Sequence, residues 1–129
     1  MTKKISNNRI SSAIKILCFD LDGVICKTIG NNYTQSKPIK NNIKFINKLY
    51  KEGFIIKIFT ARFMGRSKEN INLAKQKGQR LTKMQLSKWR IKYHYLIMGK
   101  PSYDLFIDDK AYGFKKNWAK TLKNSPLIS

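Results

Sequence analysis

Apolar residues along this chain occur as short unbroken runs and as stripes spaced three and four apart, and the two kinds alternate. Ile14 and the run Ile16-Leu17-Cys18-Phe19 read as a first strand over 14–19, which ends abruptly in Asp20. Ile39, Ile43, Ile46 and Leu49-Tyr50 recur at helical spacing with Lys and Asn between them. They predict a helix over 39–52, stopped by Gly53. "FIIKIF", 54–59, reads as a second strand and ends in Thr60. Residues 61–80 are polar and basic and read as a loop-rich insert, with room for a short helix at "ENINLAKQ". "LTKMQL" then carries helix-start signals: Thr82 as N-cap, Gln85 at the reciprocal capping position, and Leu81 with Leu86 as the hydrophobic staple. "YHYLIM", 93–98, reads as a third strand, "DLFI", 104–107, as a fourth, and "KNWAKTLK" as a last helix. Between 23 and 38, Gly23, Gly30, Asn31-Asn32 and Pro38 are turn signals that predict a small hairpin flap above the first strand's end.

Fully apolar strands alternating with helices predict an α/β fold. The expected plan is three-layer, with a mainly parallel central sheet and helices on both faces. The expected organisation is a flexible tail over 1–12 and one domain over 13–124, with the flap at about 23–38 and the basic loop at about 61–80. In such sheets ligands bind beyond the carboxyl ends of the strands. Asp20, Asp22, Thr60, Lys100, Asp108 and Asp109 all fall at or just past a predicted strand end.

Composition changes this picture mainly through charge. The 129 residues include 27 Lys and Arg against seven Asp and Glu, a formal charge of +20. The bases are mostly Lys and spread along the chain, which suits solvated surfaces as well as a polyanion partner. Five of the seven acids fall in two short segments, "DLD" and "DLFIDD", as expected if those positions need carboxylates. The two cysteines, Cys18 and Cys26, make no disulfide framework, and no apolar stretch approaches the ~18 residues of a membrane span. A cytoplasmic protein is expected.

Carboxylates from two strand ends repel one another unless a cation joins them, and an oxygen-only ligand set suits Mg²⁺. Lys100 and the Thr60 hydroxyl suit phosphate oxygens. An Asp can attack phosphorus, and a second carboxyl can handle the proton. The residues alone thus suggest Mg²⁺-assisted phosphoryl transfer through an aspartate. "FDLDGVIC", "IFTAR" and "GKPSYDLFIDD" resemble the four motifs of the haloacid dehalogenase superfamily of phosphatases, over about residues 14–112. The resemblance implies Asp20 as nucleophile and Asp22 as general acid/base. It implies Thr60 and Lys100 as phosphate donors; Gly23 and Arg62 are read beside them as candidate substrate contacts. The implied metal ligands are Asp20, Asp22 through its backbone carbonyl, and Asp108, with Asp109 direct or through water, on a Rossmann-like fold with no large cap domain. Within that superfamily the chain is similar to compact phosphatases of capsular and surface polysaccharide biosynthesis.

The expected function is therefore Mg²⁺-dependent hydrolysis of a phosphomonoester, first a sugar phosphate or surface-polysaccharide precursor. A nucleic-acid end-processing phosphatase and a non-catalytic phosphate- or polyanion-binding module stand as the alternatives. Arg62 and Arg66 are each read evenly as an anion contact or as a solvated loop residue. Asp104 is read as orienting the Lys100 loop, His94 as structural, and Trp89 and Trp118 as core.

Overall fold

The computed structural model describes residues 14–128, so the predicted tail over 1–12 lies outside the described residues. The elements run β1 (Ile16–Asp20), β2 (Cys26–Lys27), β3 (Lys37–Pro38), α1 (Lys40–Lys51), β4 (Ile55–Thr60), α2 (Ile71–Lys88), β5 (Tyr95–Met98) and α3 (Trp118–Lys123). β1 and β5 both pair in parallel with β4, so the sheet has the order β1-β4-β5. β2 and β3 pair antiparallel and form the expected small hairpin beyond the end of β1.

The plan is a three-layer α/β arrangement of the general Rossmann-like kind, a mostly parallel central sheet flanked by helices. Its two sheet faces are unequally covered. Leu17, Phe19, Ile56, Ile58, Thr60, Leu96 and Met98 share one face by register, and most are buried. Ile43, Ile46 and Leu49 of α1, Leu86 of α2 and Trp118 and Leu122 of α3 join that face in one core. Trp118 ties α3 down, its ring 5.6 Å from Phe19 and 6.1 Å from Phe45. The opposite face carries Ile16, Cys18, Asp20, Lys57, Phe59, Tyr95 and Ile97, and Ile16, Cys18, Tyr95 and Ile97 are exposed.

Two sequence expectations are corrected. The first is the loop-rich insert over 61–80 with a new helix starting at Thr82. Instead α2 is one 18-residue helix, and its N-cap is Asn70, whose side-chain oxygen accepts from the Leu73 N–H at 3.0 Å. Thr82 and Gln85 lie inside the helix as buried polar residues. The buried stripe of α2 is Ala74, Gly78, Thr82, Gln85 and Leu86, helical in spacing but, Leu86 apart, small or polar in chemistry. A hydrophobic pattern search passes over such a stripe. Gly78 is small because the Phe63 ring lies against the helix there, and a Cβ at this position would overlap that ring.

The second correction is the fourth strand over 104–107. This run joins no ladder among the described residues, and Leu105 and Ile107 are 77% and 89% exposed. Only Gly99–Tyr103 separate it from β5, whereas a parallel neighbour needs a crossover of about a dozen residues. The backbone is also fastened above the strand ends: the Ser102 N–H donates to Glu69 Oε1 at 2.9 Å.

Gly78→Ala provides a direct check of the α2 packing. A helix-interior Gly→Ala change ordinarily stabilises by about 1 kcal/mol. Here Phe63 is held against Tyr33 at 4.9 Å and under the Arg66 guanidinium at 4.6 Å, so it cannot yield freely. The expected outcome is a net loss of about 1–3 kcal/mol in denaturant unfolding. Adding Phe63→Ala should make Gly78→Ala neutral or favourable relative to Phe63→Ala alone; a stabilised single Gly78→Ala variant would contradict the overlap.

Candidate functional site

β1 ends in Asp20, and the turn after it carries Asp22. Both line a cleft of about 480 Å³ at the carboxyl edge of the sheet. One wall comes from the hairpin (Gly30, Asn31, Tyr33) and the turn after β4 (Ala61, Arg62, Gly65, Arg66). The other wall is the segment after β5, Lys100 to Tyr103. Among the described residues, no helix is long and apolar enough to cross a membrane.

The two aspartates have different surroundings. Asp20 has a side chain 40% exposed, accepts the Leu21 N–H at 2.8 Å on its own Oδ1, and faces Lys100 Nζ at 3.6 Å. Lys100 is buried, its ammonium 5.3 Å from the centres of both the Tyr103 and Phe106 rings. Burial raises the Asp20 carboxyl above its ordinary value of 3.8, although Lys100 and the Leu21 N–H pull the other way and Asp22 adds to the rise. Burial pulls the Lys100 amine down, but the Tyr103 side chain and the Asp20 carboxylate outweigh it and leave the amine raised. The pair is therefore asymmetric, since Lys100 gains from it while Asp20 is held in a site that disfavours its charge.

Asp22 is tightly held. Arg62 Nε donates to its Oδ2 at 3.0 Å and Arg62 Nη2 to its Oδ1 at 2.9 Å, a bidentate grip. Thr28 donates a hydroxyl to Oδ1 at 2.6 Å. Arg62 is 1% exposed and also donates to Ser36 Oγ, Thr82 Oγ1 and Gln85 Oε1. Gln85 in turn donates to the Tyr33 carbonyl at 2.7 Å. One polar network thus ties the hairpin, the β4 turn and α2 together through Arg62. Beside it, burial first and the Asp22 charge second push the Cys26 thiol up to about 11, so Cys26 acts as a weak donor to Asp22 at 3.4 Å.

The remaining expected site residues are placed differently. Thr60 is fully buried on the core face, and its hydroxyl accepts the Arg62 N–H at 3.1 Å. It shapes the β4 turn and does not line the cleft. Gly23 donates its N–H to the Cys26 carbonyl at 2.7 Å, inside its own turn. Arg62 is a structural clamp, while Arg66 lies on the rim and donates to the Asn31 carbonyl at 2.8 Å. Asp104 is exposed and outside the cleft lining; Glu69 fastens the Lys100 loop in its place.

Asp108 and Asp109 are exposed, and Asp108 caps its own turn by accepting the Lys110 N–H at 2.9 Å. They are not brought to Asp20 and Asp22. Among the described residues no three His, Cys, Asp or Glu side chains converge on a metal position. The expected four-aspartate ligand set is therefore not assembled. The Asp22 carboxylate is held by Arg62, Asp20 faces Lys100, and the run that carries Asp108 and Asp109 joins no strand of the sheet.

Tyr33 and Tyr103 line the cleft without having been singled out in the sequence. Their lining positions, like the roles of Thr28, Ser36 and Gln85, depend on contacts up to 52 residues apart in the chain. The one local signal is Tyr33 itself, an aromatic residue within a polar turn segment.

His94 and the tryptophans behave as expected. His94 Nδ1 accepts the Ile56 N–H at 3.0 Å and its ring stacks on Tyr50 at 4.5 Å. Trp118 is buried in the core and Trp89 packs against it.

No family model matches the chain, and no curated protein matches it either. Among solved structures it is similar to a structural-genomics target from Vibrio cholerae, with 27% identity and a TM-score of 0.73 over 81% of this chain and 87% of that one. Two structures of the Pnkp1/Rnl/Hen1 complex, one described as an RNA repair complex, overlap it at 17% and 18% identity. Their TM-scores are 0.45 and 0.46, and the overlap covers 86% and 84% of this chain but 32% of each of those chains. The protein is a small α/β domain that shares its fold with the Vibrio cholerae target.

Proposed function

We propose that the protein is a phosphomonoester hydrolase in which Asp20 attacks phosphorus. The observation that carries this reading is the Asp20–Lys100 pair in the cleft, at the carboxyl end of a parallel strand. A carboxylate raised by burial is more basic than a free one, and an adjacent buried ammonium suits phosphate oxygens. An Asp20 oxygen forms a bond to phosphorus as the ester P–O bond breaks, and the leaving alcohol takes a proton. Water then attacks the aspartyl-phosphate at phosphorus, the P–O bond to Asp20 breaks, and inorganic phosphate leaves. Asp22, 28% exposed in the same cleft, is the nearest carboxyl for the proton transfers, and serving in them requires it to loosen from Arg62.

The test is phosphate release from p-nitrophenyl phosphate and a panel of phosphomonoesters, with and without Mg²⁺, for the wild type and Asp20→Asn. Turnover lost in Asp20→Asn supports the reading. Phosphate binding with no turnover in any condition would make the protein a phosphate-binding module instead.

A further inference from the structure

We propose that the cleft receives the phosphate-bearing end of a single-stranded nucleic acid, with Tyr33 and Tyr103 as the rings against which its terminal bases or sugars lie. This names a substrate class for the Asp20 site and rests on that reading. A phosphate uses only Lys100 and Asp20, yet the cleft extends to about 480 Å³, the size range of sites for much larger groups. That extra volume is bounded by an aromatic ring on each wall, Tyr33 on the hairpin and Tyr103 on the Lys100 loop. Each ring is paired with a cation. The Arg66 guanidinium lies 5.3 Å from the Tyr33 centroid, and Lys100 Nζ lies 5.3 Å from that of Tyr103. Arg66 is exposed at the rim, where the next phosphate of a strand would pass.

Rings interleaved with cations in an open groove are the chemistry that takes single strands, because every base has a face to stack and every linkage a charge to neutralise. The formal charge of +20 adds an attractive field that matters far more for a strand of several phosphates than for one small monoester. A duplex end offers the same charge but keeps its bases stacked on each other, so the rings favour single strands.

The experiment is fluorescence anisotropy with the full chain and labelled ten-nucleotide strands carrying a 3′-phosphate, a 5′-phosphate or neither, beside a matched blunt duplex. The expected result is binding of the phosphorylated single strand roughly 10-fold tighter than of the duplex. Affinity should fall on the order of 10-fold between about 50 and 200 mM salt, as for about three neutralised phosphates. Tyr103→Leu, on an exposed loop, should weaken single-strand binding by roughly 10-fold and leave duplex binding unchanged. Tyr33→Leu should act likewise, with Tyr103→Leu deciding the matter if the Tyr33 variant fails to fold. Equal binding of single strand and duplex, or no effect of Tyr103→Leu, would overturn the proposal and leave only a general attraction of a basic protein for polyanions. Hydrolysis of p-nitrophenyl phosphate without strand binding would sink this inference alone. Strand binding as described without release of phosphate from any ester would sink the hydrolase reading alone.

Discussion

Arg62→Ala is expected to lower the unfolding free energy by about 2–4 kcal/mol, the cost of losing an enclosed guanidinium from a half-buried ion pair and its hydrogen-bond network. In a domain of this size that corresponds to a fall in Tm on the order of 10 °C. The guanidinium is fully enclosed, and it is the hub through which Asp22, Ser36, Thr82 and Gln85 are satisfied. Removing it leaves a carboxylate and several buried polar groups short of a partner, and it frees the hairpin from α2. Arg62→Lys should recover only part of the loss, because one ammonium cannot replace a planar fork that reaches five residues, Asp22, Cys26, Ser36, Thr82 and Gln85. Adding Asp22→Asn to Arg62→Ala should restore some stability, since the orphaned charge goes with it. Calorimetry of the four proteins tests this. A single-variant shift of no more than 2–3 °C would mean that water replaces Arg62 cheaply and that the network does not hold the hairpin.

Asp20→Asn is expected to separate activity from stability. Removing the attacking oxygen should lower kcat by about 10³-fold or more, as for other covalent nucleophiles. Stability should move the other way. The folded Asp20 carboxyl lies above its unfolded value, so the folded state holds the Asp20 proton more tightly. The stability this contributes is present in full below the unfolded value near 3.8 and is lost as pH rises through the folded value. Around neutral pH the ionised Asp20 therefore costs stability, and Asn should recover some, at most about 1 kcal/mol once the screening of a 40% exposed side chain is allowed for. The wild type and Asp20→Asn should converge in Tm as the pH falls toward 4. The acid limb of kcat/KM in the wild type should lie above 3.8, since activity is lost when Asp20 takes up its proton. An Asp20→Asn protein markedly less stable than the wild type at pH 7 would contradict the burial argument; one that keeps its activity would end the nucleophile assignment.

Most of the layered fold was legible as periodicity. β1, α1, β4 and β5 are built from large apolar residues at clean spacings of one, or of three and four, and each falls within about two residues of its expected place. The hairpin was legible through its glycines, asparagines and proline. α2 was only half legible, because most of its buried face is Ala, Gly, Thr and Gln, with Gly78 inside against Phe63 and Thr82 and Gln85 inside to serve Arg62. "DLFI" shows the limit from the other side. Its composition is that of a strand, but a strand exists only where a partner offers hydrogen bonds, and the short link from β5 brings it to none.

The site divides along the same line. That Asp20, Asp22 and Lys100 stand at strand ends follows from local pattern, since the end of an apolar run is visible in one dimension. Which charge neutralises which does not. Arg62 and Asp22 are 40 residues apart and Lys100 and Asp20 are 80 apart, so their pairing is set by the crossover of the chain and the packing of α2. The charge of each carboxylate, the enclosure of Arg62 and the two aromatic walls are properties of distance and burial, which exist only once the layers have come together.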